Sequence, residues 1–197
     1  MKCLKKVLAW RAVPHMSRYM GDSATLARAE LAYCEALKER TRERAPTAWA
    51  ATQNNLGILL FVLGNLTGDA ATVARAEKSY SEALKEHTRE RAPMDWAMTQ
   101  NNLGNLLARL GALTGDAATL ARAKEACCEA LEEFTRERAP MDWALTQNNL
   151  GRVLRRLGDL SGDAETLARA EAAYREALDA YAASTGTIET TITPASA

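Results

Sequence analysis

The chain has 197 residues, with 25 lysines and arginines against 25 aspartates and glutamates and 47% hydrophobic residues. A formal net charge of zero excludes the electrostatic footprint of a protein whose main partner is nucleic acid or an anionic membrane. No apolar run approaches the ~18 residues of a membrane-crossing helix, so neither nucleic acid nor membrane is expected as a partner.

Residues 1–21 hold Lys2, Lys5, Lys6, Arg11 and Arg18 and no acid, leaving 20 basic and 25 acidic groups beyond them, a net charge of minus five. The longest apolar run there, Val7 to Trp10, is too short for the h-region of an export signal. With Pro14 inside it, the segment reads as an irregular N-terminal cap. The four cysteines, Cys3, Cys34, Cys127 and Cys128, show neither metal-ligand spacing nor a disulfide framework, so a reducing, cytoplasmic setting is expected.

Beyond the cap the sequence repeats. TQNNLG stands at 52–57, 99–104 and 146–151, and residues 46–92 match residues 93–139 at 32 of 47 positions. Recurrence at a fixed period of this size marks a stacked array, so the chain divides into a half-repeat at 22–45 and repeats at 46–92, 93–139 and 140–183.

Each repeat reads as two helices. In the second, Pro93 suits a first helical position and Asp95 complements the helix N-terminus. Trp96, Leu103, Leu107 and Leu110 form an apolar stripe, and Gly111 is expected to stop the helix. After a GALTG link, Asp116 is a good N-cap for a helix with Leu120, Ala123, Cys127, Ala130, Leu131 and Phe134 on one face. Gly104, in mid-helix, is expected where a partner helix approaches closely, and Trp49, Trp96 and Trp143 are expected as packing residues. His87, in register with Arg40, Phe134 and Tyr181, reads as a tolerant helix end. Glu129, Glu132 and Glu133 read as a solvated outer face.

The unit resembles the tetratricopeptide repeat. Leu103, Gly104 and Leu107 match its first element, and Ala123 and Cys127 match its A-x3-F element, over roughly residues 22 to 183. The period of 47 residues is longer than the family's 34, and Gln100 stands where tryptophan is common. The NNLG core is similar to the kinesin light chain type of these repeats and to bacterial arrays. The resemblance implies an all-α fold, a right-handed α-solenoid of stacked antiparallel helix pairs, whose first helices line a concave groove. Residues 184–197 read as a disordered polar tail.

Within the repeated frame some positions change. Ile58 becomes Asn105 and then Arg152, Phe61 becomes Ala108 and then Arg155, and Val62 becomes Arg109 and then Arg156. Spacings of three and four put these on one face, and a face that accepts Ile, Asn and Arg in turn must be wet. Extended backward, it reaches Asn54, Asn101 and Asn148, amides able to hold the backbone of an extended peptide. Asn55, Asn102 and Asn149, about 100° round the helix, are expected to bond to a neighbouring helix.

The expected activity is therefore peptide binding. An apolar end at Ile58 and Phe61, then Asn105 and Arg109, then Arg152, Arg155 and Arg156, would complement a partner segment that is apolar at one end and acidic at the other. A module that associates through its ends is the competing expectation, because the last helix has no successor and Tyr174, Leu178 and Tyr181 share a face. That face suits a homodimer. His15 and His87 have no repeating partner, and no metal-ligand pair, phosphate-cradling loop or nucleophile elbow is legible, so no catalytic role, metal or cofactor is expected.

Overall fold

The computed structural model describes residues 23–189, and all regular secondary structure among them is helical. The elements are α1 (Ser23–Glu39), α2 (Pro46–Thr67), α3 (Ala70–Ala83), α4 (Pro93–Thr114), α5 (Ala117–Glu133), α6 (Pro140–Ser161) and α7 (Ala164–Glu189). The expected cap at 1–21, with Cys3 and His15, lies outside the described residues. Most of the expected tail does too, except that α7 continues through residues 184–189, which were expected to be irregular.

Local chemistry sets the ends of these helices. The three 22-residue helices α2, α4 and α6 each begin on proline, whose fixed φ suits a first turn and whose missing N–H is not needed there. Each runs on to a glycine in the left-handed region: Gly68, Gly115 and Gly162, with φ of 70°, 68° and 71°. The stop expected at Gly111 is therefore corrected. The helix passes through Gly111 and ends at Thr114, just before Gly115, because Gly111 is needed for a close contact rather than for a turn.

The following helices start on aspartates. Asp69 accepts from the amides of Ala71 and Thr72 at 3.0 and 3.2 Å, and Asp116 from those of Ala118 and Thr119, both at 3.1 Å. Asp163 does the same with Glu165 and Thr166 at 3.1 and 3.3 Å. Such a cap satisfies amides that the first turn of a helix leaves without a partner. A threonine hydroxyl, from Thr72, Thr119 or Thr166, also donates to each, and with the backbone amides holds the three carboxyls below their usual range.

The helices pair through their glycines. A Cβ on Gly104 would lie 2.9 Å from the Cys127 sulfur, and one on Gly111 would lie 2.7 Å from Leu120 Cγ. Seven residues forward on α4 thus correspond to seven residues back on α5, which makes the pair antiparallel. Gly57 with Tyr80 and Gly64 with Val73 repeat this in α2 and α3, as do Gly151 with Tyr174 and Gly158 with Leu167 in α6 and α7. Burial pushes the Cys127 thiol up to about 12, so it fills space rather than reacts.

The pairs then pack on one another. Helix α1 lies against α2, α3 against α4 and α5 against α6, while α2, α4 and α6 adjoin in sequence. A core of Leu56, Leu60, Tyr80, Leu106, Leu107 and Val153 runs across these contacts. A second cluster joins Ala97, Ala130, Phe134 and Ala139, with Met94, Met98, Trp96 and Trp143 packed on its edge. The tryptophans also carry cations: the guanidinium groups of Arg42, Arg89 and Arg136 lie 5.9, 5.7 and 4.5 Å from the ring centres of Trp49, Trp96 and Trp143.

The position of His87 is no tolerant helix end. His87 is 3% exposed, and Phe134 at the same place in the next repeat is equally buried. Its Nδ1 lies 3.1 Å from Thr99 Oγ1, and that hydroxyl already donates to the Asp95 carbonyl at 2.7 Å. The imidazole must therefore be the donor, leaving Nε2 as a buried lone pair without a partner. The next repeat meets the same slot with phenylalanine, so the constraint there is burial and not polarity.

Two outcomes follow from these contacts. Gly104→Leu forces a side chain into Cys127 and the Ala123 carbonyl, and thermal unfolding followed by circular dichroism should show a loss on the order of 1–3 kcal/mol. An unchanged melting temperature would contradict the close contact. Burial, opposed by Asp95, holds the His87 pKa below its usual value. The unfolded chain then takes up the proton first, so stability present above pH ~6.5 is lost as the pH falls toward the folded-state value. Urea unfolding at about pH 7.5 and 5.5 should show this loss in the wild type and a smaller one in His87→Phe.

Candidate functional site

The side chains that vary from repeat to repeat sit on α2, α4 and α6, but not all of them are free. Ile58 and Phe61 are half-buried and pack against the core, and Ala108 is buried outright. Asn105 is half-buried, while Arg109, Arg152, Arg155 and Arg156 are exposed. The face is thus partly structural at its α2 end and fully solvated at its α6 end.

The asparagines correct the expectation of a peptide-holding ladder. Asn54 and Asn101 are each only 5% exposed. The Asn102 amide donates to Asn54 Oδ1 at 3.1 Å, and the Asn149 amide to Asn101 Oδ1 at 2.9 Å. A primary amide both donates and accepts, so two adjacent asparagines, about 100° apart on a helix, can serve two neighbours. The first accepts from the repeat ahead, and the second donates to the repeat behind. At the two ends of this ladder Asn55 on α2 and Asn148 on α6 are half-buried and make no side-chain hydrogen bond among the described residues, so the bond expected of Asn55 is not formed there.

A parallel set of bonds crosses the repeats beside this ladder. Arg109 Nε donates to Asn65 Oδ1, and Arg152 Nη1 donates to Asn105 Oδ1 at 3.0 Å and to Asn149 Oδ1 at 3.5 Å. Amide oxygens hold these two guanidinium groups in place without neutralising them. Arg155 and Arg156 have no hydrogen-bond or ion-pair partner among the described residues.

Two hollows lie along this face. One, of about 180 Å³, is lined by Ala108, Arg109, Ala112 and Leu113 of α4 and by Arg152, Arg155 and Arg156 of α6. The other, of about 120 Å³, is mostly apolar, with Phe61, Val73, Leu106 and Leu110 among its walls. Arg109 and Leu113 belong to both. Sequence reasoning missed Asn65 and Leu113. Their signal was positional: Asn65 lies one helical turn past Phe61, and Leu113 recurs at each repeat as Leu66 and Leu160, all three exposed.

A larger hollow, of about 480 Å³, opens elsewhere, between the link after α3 and the outer side of α5. Its ionic groups are already engaged. Arg89 reaches Glu132 and Glu133, and Arg138 bonds to Glu133 at 2.8 Å. Gln100 donates to Glu129, whose carboxyl burial pushes up. Glu132 and Glu133 thus tie two repeats together through Arg89, and Glu129 ties α5 to α4 within one repeat, so none of the three is merely solvated.

At the C-terminal end, Leu178 is 67% exposed, whereas Leu37, Leu84 and Leu131 at the same place are half-buried. Tyr174 and Tyr181 are half-buried where Cys127 and Phe134 are fully buried. On α6, Met141 and Leu145 are exposed, while Met94 and Met98 are packed into the second cluster. The difference follows the packing: each earlier pair is covered by the next 22-residue helix, and among the described residues no helix lies in that place beside α7.

Among the described residues no group of three or more histidine, cysteine, aspartate or glutamate side chains is placed to hold a metal ion. No described helix is long and apolar enough to cross a membrane. Compared with family models, curated proteins and solved structures, the chain matches none. The geometry of its own repeats is therefore what bears on function.

Proposed function

We propose that the chain is a non-catalytic protein-interaction scaffold, a right-handed α-solenoid of the tetratricopeptide type, that holds a segment of a partner protein in its concave groove. The observation that supports this most directly is the hollow shared by Arg109, Arg152, Arg155 and Arg156, with no carboxylate among its lining residues. Convergent guanidinium groups repel one another, and an acidic segment relieves that repulsion while accepting their forked hydrogen bonds. The apolar hollow next to it suits an apolar side chain of the same segment. The reading involves no cofactor, and the free thiols of Cys34, Cys127 and Cys128 accord with a cytoplasmic setting.

A second reading is favoured by one observation, the exposure of Leu178 beside Tyr174 and Tyr181 and of Met141 and Leu145 beneath them. In it the chain associates with a second copy through this end, and the two-fold pairing hides both patches.

Each reading has its own measurement. Arg152→Glu with Arg155→Glu should weaken binding of a synthetic peptide of leucines followed by glutamates by on the order of 2 kcal/mol, and raised salt should weaken wild-type binding. Titration calorimetry at two ionic strengths checks this; salt-insensitive binding that survives both reversals would contradict the groove. Light scattering on the purified chain should show a dimer that Leu178→Glu with Tyr181→Glu dissociates. A wild type that stays monomeric at high micromolar concentration rules the second reading out.

A further inference from the structure

Of the described arginines, six form ion pairs with glutamate, while others, such as Arg40 and Arg136, bond to neutral oxygens instead. Arg42 and Arg91 both reach Glu86, Arg75 reaches Glu30, Arg122 reaches Glu77, Arg89 reaches Glu132 and Glu133, and Arg138 reaches Glu133. Where this sequence joins neighbouring repeats through Arg42, Arg75, Arg89 and Arg122 it pairs arginine with glutamate, as it does within a repeat at Arg91 and Arg138. Around the 180 Å³ hollow it does otherwise. Arg109 and Arg152 are braced by the neutral amides of Asn65, Asn105 and Asn149, and Arg155 and Arg156 are left without partners among the described residues. Asp159, one turn further along α6, is not part of the lining and forms no ion pair among the described residues.

Four positive charges therefore converge on a space where neutral acceptors orient two of them and no carboxylate is among the lining residues. A carboxylate brings one negative charge and two oxygens, which leaves most of this excess in place. A phosphate monoester brings about 1.5 to 2 negative charges and three strong acceptor oxygens, and so can take forks from several arginines at once. The volume equals roughly six waters at about 30 Å³ each, enough for a phosphoryl group with some of its hydration.

We infer that the groove site of Arg109, Arg152, Arg155 and Arg156 takes a phosphorylated side chain of the bound partner segment, so that phosphorylation of the partner switches docking on. This rests on the groove reading of the preceding subsection and adds the chemistry of the ligand to it. The phosphoryl group sits among the arginines, while an apolar neighbour in the segment enters the hollow of Phe61, Leu106 and Leu110.

Fluorescence anisotropy with three versions of one labelled peptide tests it, an apolar residue being followed by serine, glutamate or phosphoserine at a single position. The phosphoserine peptide should bind at least tenfold more tightly than the glutamate peptide, with the serine peptide weakest. Arg155→Gln with Arg156→Gln should abolish the preference while circular dichroism shows an unchanged fold. Equal binding of the glutamate and phosphoserine peptides overturns the inference but leaves the acidic-peptide reading standing. If no version binds, both fail. Free O-phosphoserine at the peptide's own concentration should leave the peptide bound; complete displacement would mean a site for a small free anion and would overturn the peptide-borne source.

Discussion

The approach of two helices at a glycine is the contact on which the rest of this structure depends. At Gly57, Gly104 and Gly151 the missing Cβ admits Tyr80, Cys127 or Tyr174 to a distance that any side chain would block. Glycine in a helix interior costs about 1 kcal/mol against alanine, and here the cost is offset by the burial it permits. A second glycine seven residues on, about two helical turns along the same face, repeats the contact and keeps the two antiparallel helices together over that length. Spacing, register and direction of each pair follow from these two points.

With the pairs so defined, the faces left over have separate duties. One face of each 22-residue helix must meet the same helix in the next repeat, and an apolar contact alone would specify that register poorly. The asparagine rungs specify it. Asn102 reaches Asn54 and Asn149 reaches Asn101, each across one repeat plus one residue, and a slip of the helices would leave buried amides unpaired. The conserved appearance of the hexamer within the chain thus reflects two different constraints, close packing at its glycine and polar pairing at its asparagines.

Much of this was legible in the sequence. The 47-residue period, the proline start at Pro93, the aspartate cap at Asp116 and the Leu120, Ala123, Cys127, Ala130 face all read directly, because each is a local pattern with a single physical reason. The errors arose where one residue type has two uses. Gly111 and Gly115 are both plausible stops by composition, and only the proximity of Leu120 decides between them. Asn101 and Asn102 are both plausible displayed amides, and which one is buried depends on the twist between repeats, which no period records. His87 looked tolerant because Arg40 and Phe134 share its place, yet Arg40 makes the corresponding bond to the buried Thr52, at 3.3 Å, and Phe134 is buried outright, so each residue there is held against the next 22-residue helix.

The same distinction explains why a chain with no net charge can present so uneven a surface. Glutamates on the outer helices find arginines from neighbouring repeats, and those pairs neutralise one another in place. Around the hollow between α4 and α6 the partners of Arg109 and Arg152 are amides, which carry dipoles but no charge, so the positive potential there is held rather than cancelled. Replacing Asn65 or Asn105 by aspartate would satisfy the same hydrogen bonds and remove that potential. A frame built only for stability would gain little by avoiding this exchange, since an exposed ion pair is worth about as much as the amide bond it would replace. The choice of amide over carboxylate at these two positions therefore bears on what the face can attract, not on how firmly the repeats are joined.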